Sequence, residues 1–202
     1  MTSCITSLAR VILACALLAA GASGCAVKSV YVKPDFAKVD KFNLKRIAVV
    51  ATPLKSAPEV AAKLLARIAR RYVLQHKDWL ALREGVLAKP DDWKSECKDK
   101  ARGVLRVMVR TLREDKSDLF VDAVADLRRC DTGALIWRVE IRDTNEKKDD
   151  DLSKLAAVYK DEFGDTAKKY AAPFFVVVKT AFDSLPSPKL TEAETMEKIE
   201  LE

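Results

Sequence analysis

The residues of this 202-residue sequence with most chemistry to offer are its five cysteines, Cys4, Cys15, Cys25, Cys97 and Cys130. A thiolate can act as a nucleophile, bind a metal or close a disulfide, and spacing decides which. None of the five forms the C-x-x-C pair of a dithiol redox centre or the clustered Cys/His set of a zinc site. His76 is the only histidine. A Ser-His-Asp constellation would have to be built on it, and no nucleophile-elbow pattern accompanies it. Its place at the end of an amphipathic stretch suits helix C-terminal capping instead. Six scattered glycines make no phosphate loop. Asp149, Asp150 and Asp151 are adjacent carboxylates that point in alternating directions and lack the ligand spacing of a calcium loop, so they read as a solvated charge run. The expectation is a chain with no catalytic group, no metal and no cofactor.

The N-terminus has the order of a secretion signal. Residues 1–10 are polar with one charge, Arg10; residues 11–20 (VILACALLAA) are apolar; Gly21, Ala22, Ser23 and Gly24 are small. Cys25 follows directly. This arrangement resembles the lipobox of bacterial lipoproteins, with Ala22 where a leucine is usual. The resemblance implies that residues 1–24 are removed and that the Cys25 thiol carries diacylglycerol, with acyl chains such as palmitate that grip a membrane. It also implies outer-membrane sorting facing the periplasm, because Ala26 rather than Asp follows the cysteine. Three alternatives stay open on the residues alone. Residues 11–27 are uncharged and can be weighed as an uncleaved span, although their second half is too weakly apolar. Ordinary cleavage after Ala22 would give a periplasmic protein without an anchor. Cys25 can also be a cysteine by chance.

Cleavage before Cys25 leaves 178 residues, enough for one domain with a core of its own, and lowers the net charge from +6 to +5. That charge is spread along the chain and gives no basic stripe for nucleic acid. Cys4 and Cys15 leave with the signal and Cys25 takes lipid. Cys97 and Cys130 then remain as an even pair in an oxidising compartment, where a disulfide is expected. Two buried thiols or a redox pair are the other readings.

The elements that must position these residues follow from hydrophobic period. Residues 25–45 lack periodicity and read as a lysine-rich tether. Residues 46–52 (RIAVVAT) are a continuous β-branched run, the pattern of a strand buried on both faces. Ser56 and Glu59 make a capping box before a helix to about His76, with an apolar stripe from Val60 to Tyr72. Residues 79–83 (WLALR) form a second strand, and residues 91–97 offer a helical turn. Residues 104–113, 119–129 and 134–142 alternate with period two, so each has one buried and one wet face. Leu135, Trp137, Val139 and Ile141 are expected on the buried face of the third. Gly133 suits a positive φ in the turn before it. Residues 152–163 and 165–185 read as helices separated by Gly164, with Pro173 bending the second. Residues 187–202 read as a disordered tail, although Thr191 and Glu194 form a second capping box.

The fold class is therefore α/β: a two-layer sandwich whose mixed sheet joins a β-α-β unit to an antiparallel three-strand meander, with C-terminal helices. Residues 46–186 form the domain. The wet face of the meander carries Arg106, Arg110, Arg128, Arg138 and Arg142, opposed by Asp122, Asp126 and Glu140. This is the candidate partner-binding face; the competing reading is a salt-bridged solvent surface, in which exposed pairs contribute little.

The order of lipobox, strand RIAVVAT, amphipathic helix, strand WLALR and meander ending in CDTGALIWR is similar to a family of uncharacterised bacterial envelope lipoproteins. The architecture also resembles the curli-secretion lipoprotein, the lipoprotein activators of penicillin-binding proteins and the TolB N-terminal domain. The resemblance implies a non-catalytic binding or assembly module, attached to the membrane through Cys25. Its partner would be an envelope protein or part of peptidoglycan synthesis, and the oligomeric state stays open. An accessory of a secretion or transport system is the alternative, and a hydrolase stands third. A pore is disfavoured, because the faces opposite the core carry Arg and Asp where a barrel needs lipid-facing apolar residues.

Overall fold

The computed structural model describes residues 26–54, 56–115, 118–144 and 150–202. The expected signal segment, Cys25 and Asp149 lie outside the described residues. Six strands form one sheet: β1 (Ala26–Val32), β2 (Arg46–Ala51), β3 (Leu80–Val86), β4 (Gly103–Asp115), β5 (Asp118–Arg129) and β6 (Leu135–Thr144). Among the described residues five α-helices accompany them: α1 (Asp40–Asn43), α2 (Glu59–His76), α3 (Asp150–Phe163), α4 (Asp165–Phe182) and α5 (Glu192–Leu201). A 3-10 helix, Pro90–Glu96, links β3 to β4.

The sheet order is β1-β6-β5-β4-β2-β3. β2 pairs in parallel with both β3 and β4, and all other pairs are antiparallel. β2 is central to the parallel part, which is why it reads as an unbroken apolar run: Ile47 to Ala51 are all buried. One face of the sheet carries the core. Ile47, Val49, Leu105, Val107, Leu127, Trp137 and Val139 pack there against Leu64, Leu65 and Ile68 of α2 and Phe174, Val178 and Phe182 of α4. Helices over one face of a mixed sheet give the expected α/β two-layer fold.

The other face is not uniformly wet. The 3-10 helix crosses it and lays Trp93 against Val50, Leu87 and Val104, with Cys97 and Cys130 packed beside them. The two cysteines are joined, with Cα atoms 5.5 Å apart across 33 residues of sequence. The disulfide ties the end of this crossover to the end of β5.

Several expectations are corrected in detail. Residues 25–45 are no tether: β1 begins at Ala26 and pairs antiparallel with β6. Its periodicity is hidden by a bulge between Val27 and Ser29, and by its place at a sheet edge, where no face is fully buried. Ser56 does not cap α2; the N-cap is Pro58 in extended conformation with φ −62°, and no side chain caps it. Leu135 gives up its core place to Ile136, because the ladder slips between Leu127 and Arg128. α4 runs through Pro173 without a break. Residues 187–202 contain α5, whose capping box is formed between Thr191 and Glu194. Gly133 adopts the expected positive φ, 72°, and Gly164, between α3 and α4, also has one, 54°.

Candidate functional site

The arginines of the meander come from alternate positions of three neighbouring strands. β4 supplies Arg106 and Arg110, β5 supplies Arg128 opposite Val104, and β6 supplies Arg138 opposite Asp126. Antiparallel pairing puts directly opposed residues on one face, so these side chains share the face away from α2 and α4. Arg106, Arg110, Arg128 and Arg138 line a cleft of about 730 Å³ whose far wall is formed by Thr52, Pro53 and Pro90. Arg142 is exposed at the end of β6, opposite Ala26, and does not line it.

The four lining arginines differ in what they can offer. Arg106 is only 6% exposed and is committed. Its Nε and Nη2 donate to the two oxygens of fully buried Asp126 at 2.7 and 2.6 Å, and Nη1 donates to the Pro90 carbonyl at 2.5 Å. The guanidinium also lies 6.0 Å from the Trp93 ring centroid. This bidentate fork fixes the cleft floor and fastens the 3-10 helix to the sheet. Arg128 is half-buried over the same ring at 5.9 Å and donates to the Gly133 carbonyl at 3.3 Å; its buried Nε lies beyond hydrogen-bond range but ion-pairs with Asp126 Oδ2 at 3.7 Å.

Arg110 and Arg138 form the open part. Their Nη2 atoms lie 3.5 and 3.3 Å from the same oxygen, Glu140 Oε1. Lys28 of β1 approaches the other oxygen at 3.7 Å. Three cations thus share one carboxylate. Desolvation is the largest single influence and raises the Glu140 carboxyl, but the charge of Arg110, the hydrogen bond from Arg138 and the charges of Lys28 and Arg138 together outweigh it and hold the carboxyl below the ordinary range. A guanidinium has five donors in a planar fork, so an incoming carboxylate or phosphate can be gripped by Arg110 and Arg138 together.

A second cleft, about 940 Å³, lies at the carboxyl ends of β2 and β3, between the start of α2 and the end of α3. Leu54, Val60, Val86 and Phe163 line it, and Arg67 bridges its rim from Glu84 (2.5 Å) to Glu162 (2.8 Å). Its rim charges are already paired.

His76 is exposed at the end of α2 with its ring 4.5 Å from that of Tyr72; it lines neither cleft. Among the described residues no group of three or more His, Cys, Asp or Glu side chains is placed to hold a metal ion, and no helix is long and apolar enough to cross a membrane. Asp150 starts α3. Sequence reasoning placed the arginines on one face but missed the burial of Arg106 and Asp126 and the participation of Lys28. The signal for the first was the lone Trp93, three residues after Pro90 in an otherwise polar crossover. No signal announced the second, because Lys28 lies on the bulged part of β1.

No protein-family model matches the chain, and no curated protein matches it in sequence. Solved structures do show likenesses. A PelC dodecamer from Paraburkholderia phytofirmans is 18% identical, with 72% of this chain and 94% of that chain covered at a TM-score of 0.38. A hypothetical protein of Chlamydia trachomatis is 12% identical, with 67% and 95% covered at a TM-score of 0.38. A protein of Xanthomonas campestris assigned to DUF330 is 10% identical, with 71% and 89% covered at a TM-score of 0.32. Likenesses at this level define no family for the chain.

Proposed function

We propose that this chain is a non-catalytic binding module of the bacterial envelope, held at a membrane by acyl chains on Cys25, and that it binds an acidic partner in the arginine cleft. The observation that supports binding is the convergence of Arg110, Arg138 and Lys28 on the single carboxylate of Glu140. Three cations around the one Glu140 carboxylate hold positive charge on this face, and an acidic group on a partner would pair with it. Placement on three strands of one sheet, with β5 between β4 and the β6–β1 pair, gives the pre-organisation that such a site needs. The non-catalytic reading rests on the chemistry at hand: guanidinium groups orient and neutralise anions, but they do not act as nucleophile or general base at neutral pH.

The anchor is supported by the signal-like N-terminus, and β1 starts at Ala26, one residue after Cys25. An acylated Cys25 then holds the sheet close against the membrane surface with no intervening linker.

Calorimetric titration of the purified protein with poly-L-glutamate tests the cleft. Wild type binds, and Arg110→Ala with Arg138→Ala raises Kd by at least about tenfold, the equivalent of ~1.4 kcal/mol. Equal affinity in the double variant would remove the cleft from the account.

A further inference from the structure

The two edges of the sheet are finished differently. At β3, helix α5 packs against the strand, and Arg70 of α2 donates to the carbonyls of Ala81 and Leu201, each at 2.9 Å. At β1, no described element pairs outside the strand. Proteins usually blunt such an edge with charge, proline or a very short strand. β1 has seven residues and one charge, Lys28, which turns inward to Glu140 at 3.7 Å. Its apolar side chains stand open: Val27, Val30, Tyr31 and Val32 are 39–46% exposed.

The two faces of β1 differ in character. Val27, Val30 and Val32 register with Ile141, Val139 and Trp137, the core-facing residues of β6, and carry the apolar face of the sheet outward. Ser29 and Tyr31 register with Glu140 and Arg138 and carry the arginine face outward.

We propose that the free edge of β1 accepts an added β-strand: an extended segment of an envelope protein in which apolar and acidic residues alternate. Its main chain pairs with β1, its apolar side chains lie beside Val30 and Val32, and its carboxylates meet Lys28 and the cations around Glu140. Strand addition takes affinity from main-chain hydrogen bonds and specificity from alternate side chains. Charge selects this occupant over a second copy. Two copies paired edge to edge would set two such cation clusters on one continuous sheet, whereas an acidic strand neutralises the one that is there. The acidic half of the specificity rests on the cleft reading above; the edge itself does not.

Amide hydrogen exchange on the full chain, purified in detergent after processing by cells, tests the proposal. The probe is a ten-residue peptide of alternating valine and glutamate, with a five-valine, five-glutamate block peptide as control. The expected result is slowed exchange across residues 27–32 with the alternating peptide and not with the block peptide. Lys28→Glu and Val30→Glu should each weaken binding by about tenfold or more; if Val30→Glu fails to fold, the surface substitution Lys28→Glu carries the test. Protection confined to residues 106–110 and 138–140 would overturn the edge proposal and leave the cleft reading standing. Protection of residues 27–32 that grows with protein concentration in the absence of peptide would assign the edge to a second copy and overturn it. Absence of any binding by the alternating peptide, with poly-L-glutamate still bound, would overturn it as well.

Discussion

Asp126→Ala should be among the most damaging single substitutions in this protein. Asp126 is fully buried and Arg106 is 6% exposed. The carboxylate accepts two charge-assisted hydrogen bonds at 2.7 and 2.6 Å. Its removal leaves the guanidinium in place, still donating to the Pro90 carbonyl at 2.5 Å. Breaking a buried pair from one side costs about 3–5 kcal/mol, because the remaining charge is desolvated without compensation. In a domain of this size each kcal/mol is worth about 2–4 °C, so the melting temperature should fall by roughly 6–20 °C. The double substitution Arg106→Met, Asp126→Leu removes the buried pair and should recover part of that loss, since an apolar pair of similar volume is often as stable as the ions, although Arg128, 3.7 Å from Asp126 Oδ2, loses a counter-ion in both variants. Urea denaturation followed by tryptophan fluorescence and circular dichroism measures both variants, and in a Trp79→Phe, Trp137→Phe background Trp93 reports on the 3-10 helix. A loss below about 1 kcal/mol for Asp126→Ala, the range of an exposed pair, would refute the assignment of Arg106 to the cleft floor and return it to the ligand-binding group.

Three further outcomes follow from the same structure. Cys97→Ser with Cys130→Ser should cost roughly 3.5–4 kcal/mol by the chain-entropy argument for a loop of this length, and a thiol assay on the denatured, unreduced domain should find neither cysteine reactive; two reactive thiols would rule the bond out. Helix α5 buries no residue and is held by Lys45–Glu194 (2.7 Å), Arg46–Glu197 (2.5 Å) and Lys198–Asp78 (3.9 Å). Burial works to raise the Glu194 carboxyl, but hydrogen bonds from Lys45 and from Thr191 draw it down to about 2 from 4.5. A depressed carboxyl contributes stability that is complete above its unfolded pKa and is lost as pH falls through the folded one. Exchange protection of α5 should therefore persist above about pH 4.5 and fade toward pH 2, sooner in molar salt, where the Debye length shrinks to about 3 Å; unchanged protection at low pH in high salt would contradict this. Metabolic labelling with a clickable fatty acid should mark the wild-type chain and not Cys25→Ser; label that survives the substitution would remove the anchor.

The legible parts of the fold were those whose side chains face one environment along their whole length. β2 reads as buried because both its faces are covered, and β4 to β6 read as half-buried because only one face meets α2 and α4. The disulfide was legible by counting once Cys4, Cys15 and Cys25 were set aside. What stayed hidden depends on partners distant in sequence. β1 has a bulge and no fully buried face, so its valines show no period. α5 has no apolar stripe: Met196 and Ile199 are 58% and 60% exposed, and its docking is largely ionic, with Leu201 alone of its apolar side chains packed against the core. Only its capping box was visible in advance. The arginine face was placed correctly by period two, but period cannot tell that a crossover will bury Arg106 with Asp126 while leaving Arg110 and Arg138 open.

The central claim is that the open arginines hold an acidic partner at the membrane. A photo-crosslinking amino acid introduced at Met108, between Arg106 and Arg110 on the cleft wall, tests it most directly in living cells. The account predicts a discrete adduct on ultraviolet exposure that disappears when Arg110→Glu and Arg138→Glu are added. An adduct of equal yield after that double charge reversal, or no adduct at all, would contradict it.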